Sequence, residues 1–395
     1  MNSFKYTNPT DIRFGVDLLD EQLHDAVAQY GQNVLLAYGG GSIKKSGLYD
    51  RVIKALAGLN VVELSGIEPN PKIASVREGQ KLVKENKINV ILAVGGGSVI
   101  DASKVIGSAA FYEGDPWDLV IKPSIRQTIA QLPLVDILTL AATGTENNFG
   151  SVISNPETHQ KLGTYGPNRP AVSFLDPSLT TSVSKWQTAA GSIDIFSHLT
   201  EQYFDRSNNT INEGLIEGIY RTVIKFGPIA VAKPEDLEAR AQLMWASTVA
   251  LNGLVGLGNQ NGWTVHPIEH ELSAYYDITH GVGLGILTPR WLKKVYADPS
   301  THDKSVKFAK HVWGLNGADD EIAQQAIQVT YDWVKSLDVP TTLPGVEITD
   351  DVNFDEMAAS AVKVGSLEQH GYVPLNQADV RALLVASMTT EGFEN

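Results

Sequence analysis

At 395 residues, with 43% hydrophobic and 19% charged residues, the chain has room for two or three packed domains and the composition of an ordinary globular protein. Its net charge of -14 argues against a nucleic-acid-binding face, which needs a basic patch or stripe; Lys44-Lys45 and Lys293-Lys294 are pairs only. The absence of cysteine excludes disulfides and thiolate metal sites, so any metal must be held by nitrogen and oxygen, and it fits a reducing, cytoplasmic setting.

No charged and then apolar leader opens the chain, so no secretory signal is expected. Residues 1–182 alternate short β-branched runs with amphipathic stretches. NVLLAYGGGS (33–42), NVVELSG (60–66), NVILAVGGGS (89–98), LPLVDILTL (132–140) and AVSFLDP (171–177) read as strands. The stretch 72–87 reads as a helix from its apolar residues Ile73, Val76, Leu82 and Val83. Strands alternating with helices need crossover connections, which predicts a mainly parallel sheet in a Rossmann-like α/β dinucleotide-binding domain.

From residue 183 the strand signals stop. Long helical patterns follow, with breaks predicted at Pro228, Pro234, Pro340 and Pro344, so 183–395 is expected to be an all-α domain. The uncharged stretch 243–265 contains Asn252, Asn259, Gln260, Asn261 and several glycines, and reads as a buried helix ending in a polar turn, not as a membrane span. The boundary near 180–187 is tight, and a cleft between the two domains is the expected site.

Two turns carry the first piece of chemistry. In GGGSVIDASK an apolar run feeds Gly95, Gly96 and Gly97, and a helix is predicted to start near Ser98; glycines admit a ligand close to the backbone, and the unpaired N–H groups of a helix start suit a pyrophosphate. Neither GxGxxG nor the Walker pattern occurs. The earlier turn, Gly39, Gly40, Gly41 and Ser42, has no carboxylate for a ribose 2′-hydroxyl. Ser42, Lys44 and Lys45 suit a 2′-phosphate instead, which favours NADP over NAD.

The second piece is a histidine cluster. Asp194 and His198 are four apart and so point from one face of a helix; His266 and His270 repeat that spacing, and His280 follows just before Gly281. Three of the nine histidines fall within fifteen positions here, while His24, His159, His302, His311 and His370 are scattered and read as structural or surface. Asp and His donors suit one divalent metal, Fe2+ or Zn2+, and four of the five residues suffice to bind it. Trp117 and Trp263 are candidates for shaping the substrate pocket, Trp263 because it lies three residues before His266, with core packing as the default reading for both.

In these features the chain resembles the iron-containing (group III) alcohol dehydrogenase family, in its butanol dehydrogenase-like, NADPH-dependent aldehyde reductase branch. The resemblance rests on NPTDIRFG, GGGSIKKSGLYD, GIEPNP, GGGSVIDASK, LTLAATGTENN, ISNPETHQKLG, the Asp194/His198 segment and HPIEHELSAYYDITHG, and it covers essentially the whole chain. It implies a dehydroquinate synthase-like two-domain fold, with Asp194, His198, His266 and His280 as metal ligands and His270 as a non-ligand beside the nicotinamide. Gly95, Gly96, Gly97 and Ser98 would form the pyrophosphate turn, ended by Asp101. Thr143 and Thr145 would line the coenzyme, Lys161 would lie near a ribose, and Gly39 to Ser42 would lie by the adenosine ribose.

The implied activity is hydride transfer between NADP(H), preferred over NAD(H), and a small alcohol or aldehyde such as butanol or butanal. A metal would polarise the carbonyl and His270 would relay a proton. The implied setting is a cytoplasmic homodimer with no nucleic-acid or membrane partner. Alternatives are an NAD-dependent polyol (glycerol or propanediol) dehydrogenase of the same superfamily, a dehydroquinate synthase-like lyase, a metal-dependent hydrolase, or a non-enzymatic nucleotide-binding protein. Two departures stand out: Thr145 replaces a more usual serine, and Pro267 predicts that His266 lies at a helix start or kink.

Overall fold

Val34, Leu35, Leu36 and Ala37 are all fully buried, which a strand achieves only when both faces of its sheet are covered. The computed structural model, which describes residues 2–167, 169–207 and 209–394, shows how. The strands are β1 (Asp11–Phe14), β2 (Asn33–Tyr38), β3 (Asn60–Leu64), β4 (Val90–Gly95), β5 (Leu134–Leu138), β6 (Gly150–Asn155), β7 (Gln160–Tyr165) and β8 (Val172–Leu175). Between them run α1 (Leu18–Ala28), α2 (Ser42–Lys45), α3 (Leu48–Ala55), α4 (Ile73–Glu85), α5 (Gly97–Ala109), α6 (Asp118–Ile121) and α7 (Pro123–Thr128).

Six strands form one sheet in the order β1-β8-β5-β4-β2-β3, with every neighbouring pair parallel. The twofold alternation of a strand divides β2 between two cores. Val34, Leu36 and Tyr38 join Leu19 and Leu23 of α1 and Leu48 and Val52 of α3, whereas Leu35 and Ala37 join Ile73 and Val76 of α4 and Ile100 and Val105 of α5. The predicted strands and α4 are all present. The short edge strand β1 and the antiparallel hairpin β6–β7 were not foreseen, because both are short and rich in polar residues.

The sheet order places the two glycine turns. From β2 the chain steps outward to β3, then crosses back to lay β4 on the other side of β2 and continues to β5. β2 and β4 therefore flank the point where the winding reverses, the place where open α/β sheets bind ligands at strand C-termini. Tyr38 pairs with Val94, so the turns at Gly39–Gly41 and Gly95–Gly97 leave the sheet side by side.

After β8, among the described residues, come only helices, 3-10 turns and loops: α8 (Lys185–Tyr203), α9 (Thr210–Ala232), α10 (Leu237–Ala250), α11 (Val265–Tyr276), α12 (His280–Ala297), α13 (His302–His311), α14 (Asp319–Ser336), α15 (Phe354–Gly365), α16 (Leu367–His370) and α17 (Gln377–Ala386). None of the helices is long and apolar enough to cross a membrane. The chain divides into two compact units. One takes Thr7–Ser184 and Pro234–Asn252; the other takes the residues up to Tyr6, Lys185–Lys233 and those from Gly253 onward.

This differs from a single cut at 182/183, because α10 groups with the sheet. Thr248 of α10 donates to Glu146 Oε1 at 2.6 Å, and Asn148 and Arg169 donate to the carbonyls of Leu251 and Asn252 just beyond the helix. Periodicity identifies a helix but not the surface it packs on. Nor does Pro228 break the chain: it lies inside α9. The Ile224 carbonyl, which a proline four residues on leaves without its helical donor, instead accepts from Trp333 Nε1 at 3.3 Å.

Within the helical unit α8 is central, buried along its length from Thr188 to Tyr203 and packed against α9 and α12. The start of α12 comes especially close. A β-carbon at Gly281 would lie 2.0 Å from the Ala190 carbonyl oxygen, so only glycine lets the two backbones meet there.

Candidate functional site

That close approach sets His280, the first residue of α12, against the face of α8 that carries Asp194 and His198. α11 brings His266 and His270 to the same place. As Pro267 predicts, His266 stands in the first turn, where a residue lacking N–H breaks no helical bond.

Asp194 Oδ1 lies 3.2 Å from His198 Nε2, 3.6 Å from His266 Nε2 and 3.7 Å from His280 Nε2. Three ring nitrogens thus face one carboxylate oxygen. Asp194 Oδ1 and His266 Nε2 are buried without a hydrogen-bond partner among the described residues, which costs free energy unless something else satisfies them. A divalent cation held by one carboxylate and three imidazoles would do so, and the donor set fits zinc or iron.

The charges agree with this arrangement. Burial alone would raise the Asp194 carboxyl, but His198, His266 and His280 outweigh it and hold the group well below the usual carboxylate range. Burial pushes His198 down to about 3 despite the pull of Asp194, leaving a neutral ring able to ligate. At His266 burial also works against the charge, yet Asp194 and Glu201 together raise it to about 9. His270 lies beside this group with its ring centroid 5.5 Å from His280 and 6.2 Å from His266, and it is half-buried.

Two neighbours escaped the sequence reading. Glu201 follows Asp194 by seven residues on the same face of α8 and accepts from His266 Nδ1 at 2.7 Å. Glu269 meets His280 Nδ1 and accepts a hydrogen bond from Ser273. Trp263, three residues before His266, sets its ring 4.6 Å from His266 and 5.5 Å from His198, centroid to centroid. The spacing of Glu201 from Asp194 was the one available signal.

In the sheet unit, β4 ends at Gly95 and α5 begins at Gly97, one residue before the predicted start. A β-carbon at Gly97 would lie 2.4 Å from Thr143 Oγ1, so the turn Gly95–Ser98 and the loop carrying Thr143 and Thr145 sit against each other. Asp101 occupies both its oxygens with protein donors, Thr145 Oγ1 at 2.5 Å and the Val152 N–H at 2.7 Å, which ties α5 to that loop. Lys161 is buried on β7 and pairs in register with Ser154 of β6. At the other turn, Gly40 and Ser42 are exposed, and the Lys44 ammonium rests 4.5 Å from the Tyr49 ring centroid and 5.2 Å from that of Tyr38. Both tyrosine hydroxyls donate to Glu63.

Lys104, one turn after Asp101, also escaped notice. It is fully buried and donates to Thr145 Oγ1, Asn148 Oδ1 and the Gly150 carbonyl at 2.7, 3.1 and 2.9 Å. Burial brings its pKa down to about 7, against the pull of Asp101. Lys104→Met should remove a charged donor from these acceptors, although Asn148 Oδ1 keeps the Gly150 N–H and Thr145 Oγ1 keeps Asp101, at a cost of about 1–3 kcal/mol, and loosen the loop. The expected result is a melting temperature lower than that of the wild type, read from calorimetry.

A doubly wound sheet with glycine turns at its switch point, accompanied by a buried Asp/His cluster in a helical unit, defines a protein built for a dinucleotide and a metal. Comparison with known proteins agrees. Residues 9–177 match the family model described as iron-containing alcohol dehydrogenase, and 188–388 match that of the Fe-containing alcohol dehydrogenase family, C-terminal. The chain is 46% identical to the NADH-dependent butanol dehydrogenase A of Clostridium acetobutylicum, over 96% of this chain and 98% of that one. It is 38% identical to the NADPH-dependent aldehyde reductase YqhD of Escherichia coli, over 95% and 96% respectively. The crystal structure of NADH-dependent butanol dehydrogenase A from Thermotoga maritima superposes with a TM-score of 0.91 at 36% identity, covering 98% of this chain and 99% of that one. The chain belongs to the iron-containing alcohol dehydrogenase family, and it is an oxidoreductase that uses a nicotinamide coenzyme.

Proposed function

We propose that the chain is a cytoplasmic, homodimeric aldehyde reductase that moves hydride between NADP(H) and a small alcohol or aldehyde such as butanol or butanal. Asp194, His198, His266 and His280 would hold one Fe2+ or Zn2+. The observation that carries this reading is the convergence of three imidazole nitrogens on the buried, unpartnered Asp194 Oδ1. When bound, the metal supplies Lewis acidity to a carbonyl oxygen and the nicotinamide supplies or accepts hydride.

The chain's own residues do the rest. Gly95, Gly96, Gly97 and Ser98 open the start of α5 to a pyrophosphate. Asp101 ends the pyrophosphate turn and, with Lys104, holds the loop of Thr143 and Thr145 in place. Lys161 stays assigned to the neighbourhood of a ribose, by resemblance. His270, half-buried beside the ligand rings, carries the proton that alcohol formation requires. The test is oxidation of NADPH by short aldehydes before and after chelation, with Fe2+ or Zn2+ restored afterwards. Activity that survives complete metal removal refutes the reading.

Preference for NADPH rests on Gly39, Gly40, Gly41 and Ser42 with Lys44 and Lys45 beside them. A second reading, NADH, is favoured by the C. acetobutylicum relative named above and by the existing contacts of Lys44 with Tyr38 and Tyr49. Lys44→Ala distinguishes them. If Lys44 meets a 2′-phosphate, its loss should lower kcat/KM for NADPH about 10- to 100-fold, the worth of a hydrogen bond to a charged group, and leave NADH nearly unchanged. An equal effect on both coenzymes sides with NADH.

A further inference from the structure

A helix begins with N–H groups that lack intrahelical partners, and α11 is poorly supplied with ways to satisfy them. Thr264, its N-cap residue, makes no side-chain cap, and Pro267 has no N–H. Glu201 of α8 provides for the start of the helix instead. Its Oε2 accepts from the Thr264 and Val265 N–H groups, the latter at 3.0 Å, and its Oε1 accepts from the His266 N–H at 2.7 Å. The same Oε1 lies 2.7 Å from His266 Nδ1. An ionised carboxylate only accepts hydrogen bonds, so Nδ1 carries a hydrogen, and a cation that displaces the Nε2 proton would meet a lone pair on the atom facing Asp194 Oδ1.

Glu269 also meets His280 Nδ1, while His198 Nδ1 is buried with no hydrogen-bond partner among the described residues. Glu201 joins a ligand ring to the helix start that carries it. The Glu201 side chain is about 1% exposed, so water does not compete for these bonds.

We propose that Glu201 is a positioning residue that fixes both the Nδ1–H tautomer of His266 and the first turn of α11, so that divalent-metal affinity and the local fold depend on one side chain. This rests on the metal assignment made above. In Glu201→Gln one oxygen becomes an NH2 that faces donors, so the set of four bonds cannot be kept.

The test uses the full chain with its metal exchanged for Co2+, whose visible spectrum reports the ligand set. Glu201→Gln should bind Co2+ about 10- to 100-fold more weakly, as carboxylates that orient metal-bound histidines generally do when lost, and with a changed spectrum. Wild-type affinity and an unchanged spectrum in Glu201→Gln overturn the proposal. If the variant does not fold, 15N NMR of histidine-labelled wild-type protein decides, with His266 assigned by comparison with His266→Gln. A protonated Nδ1 supports the clamp and a deprotonated Nδ1 overturns it. Wild-type protein that takes up no Co2+ refutes the metal assignment, and the proposal resting on it falls with it.

Discussion

Alanine at position 280 should remove the metal and turnover together, whereas alanine at position 270 should remove turnover alone. His280 points Nε2 at Asp194 Oδ1 and is held from behind by Glu269, so its loss opens the donor set and leaves a buried carboxylate without its ring partner. Lewis-acid stabilisation is worth several kcal/mol, which at 1.36 kcal/mol per decade corresponds to a fall in kcat of roughly a thousandfold or more. With His270, whose ring centroid lies 6.2 Å from that of His266 and 5.5 Å from that of His280, proposed as proton carrier and not as ligand, the His270→Ala protein should keep its metal. Its kcat should fall about 10²- to 10⁴-fold, the usual worth of a placed proton donor. Metal content by elemental analysis, paired with kcat, reads both variants. Equal metal loss in the two would make His270 a ligand and overturn its assignment.

Gly281→Ala should be nearly as damaging without touching a donor atom. Its β-carbon would meet the Ala190 carbonyl oxygen at 2.0 Å, and backbone cannot swing aside as a side chain can. α12 must then move off α8 and take His280 with it. The cost should lie at or above the top of the usual overpacking range, about 3 kcal/mol, which lowers the melting temperature by roughly 6–12 °C in a unit of this size. Gly285→Ala is the control. There the nearest atoms are side-chain carbons of Val334 and Ile193 at 3.1–3.3 Å, so it should cost about 1 kcal/mol or less and preserve metal content. If both variants melt alike, the backbone approach is not what fixes His280.

Sequence pattern revealed what depends on period and on residue type. The apolar runs 33–38 and 90–95 announced central strands because burial on both faces demands unbroken hydrophobicity, and the glycines after them marked the turns. The i, i+4 spacing of Asp194 and His198 revealed a shared face, but spacing alone did not separate His270 from the other four; the resemblance to a family did. What stayed hidden depends on tertiary neighbours. Glu201, Glu269 and Lys104 are ordinary charged residues until the fold buries them against His266, His280 and Thr145. Pro228 reads as a helix breaker unless the indole 105 residues later that accommodates the proline is known. Gly281 looks like punctuation after a histidine, and only the packing of α12 on α8 shows that a methyl group has no room there.

The placement of α10 bears on how such a chain could have been assembled. Because Pro234–Asn252 belongs with the sheet while the segments on either side of it belong with the helices, the polypeptide enters and leaves each unit more than once, and no single cut yields two whole pieces. A fragment ending at Ser184 would carry both glycine turns, yet it would lack Thr248 and leave the fully buried Glu146 Oε1 without its donor. A piece that keeps this bond must therefore include Pro234–Asn252 as well as Thr7–Ser184, two stretches far apart in the chain.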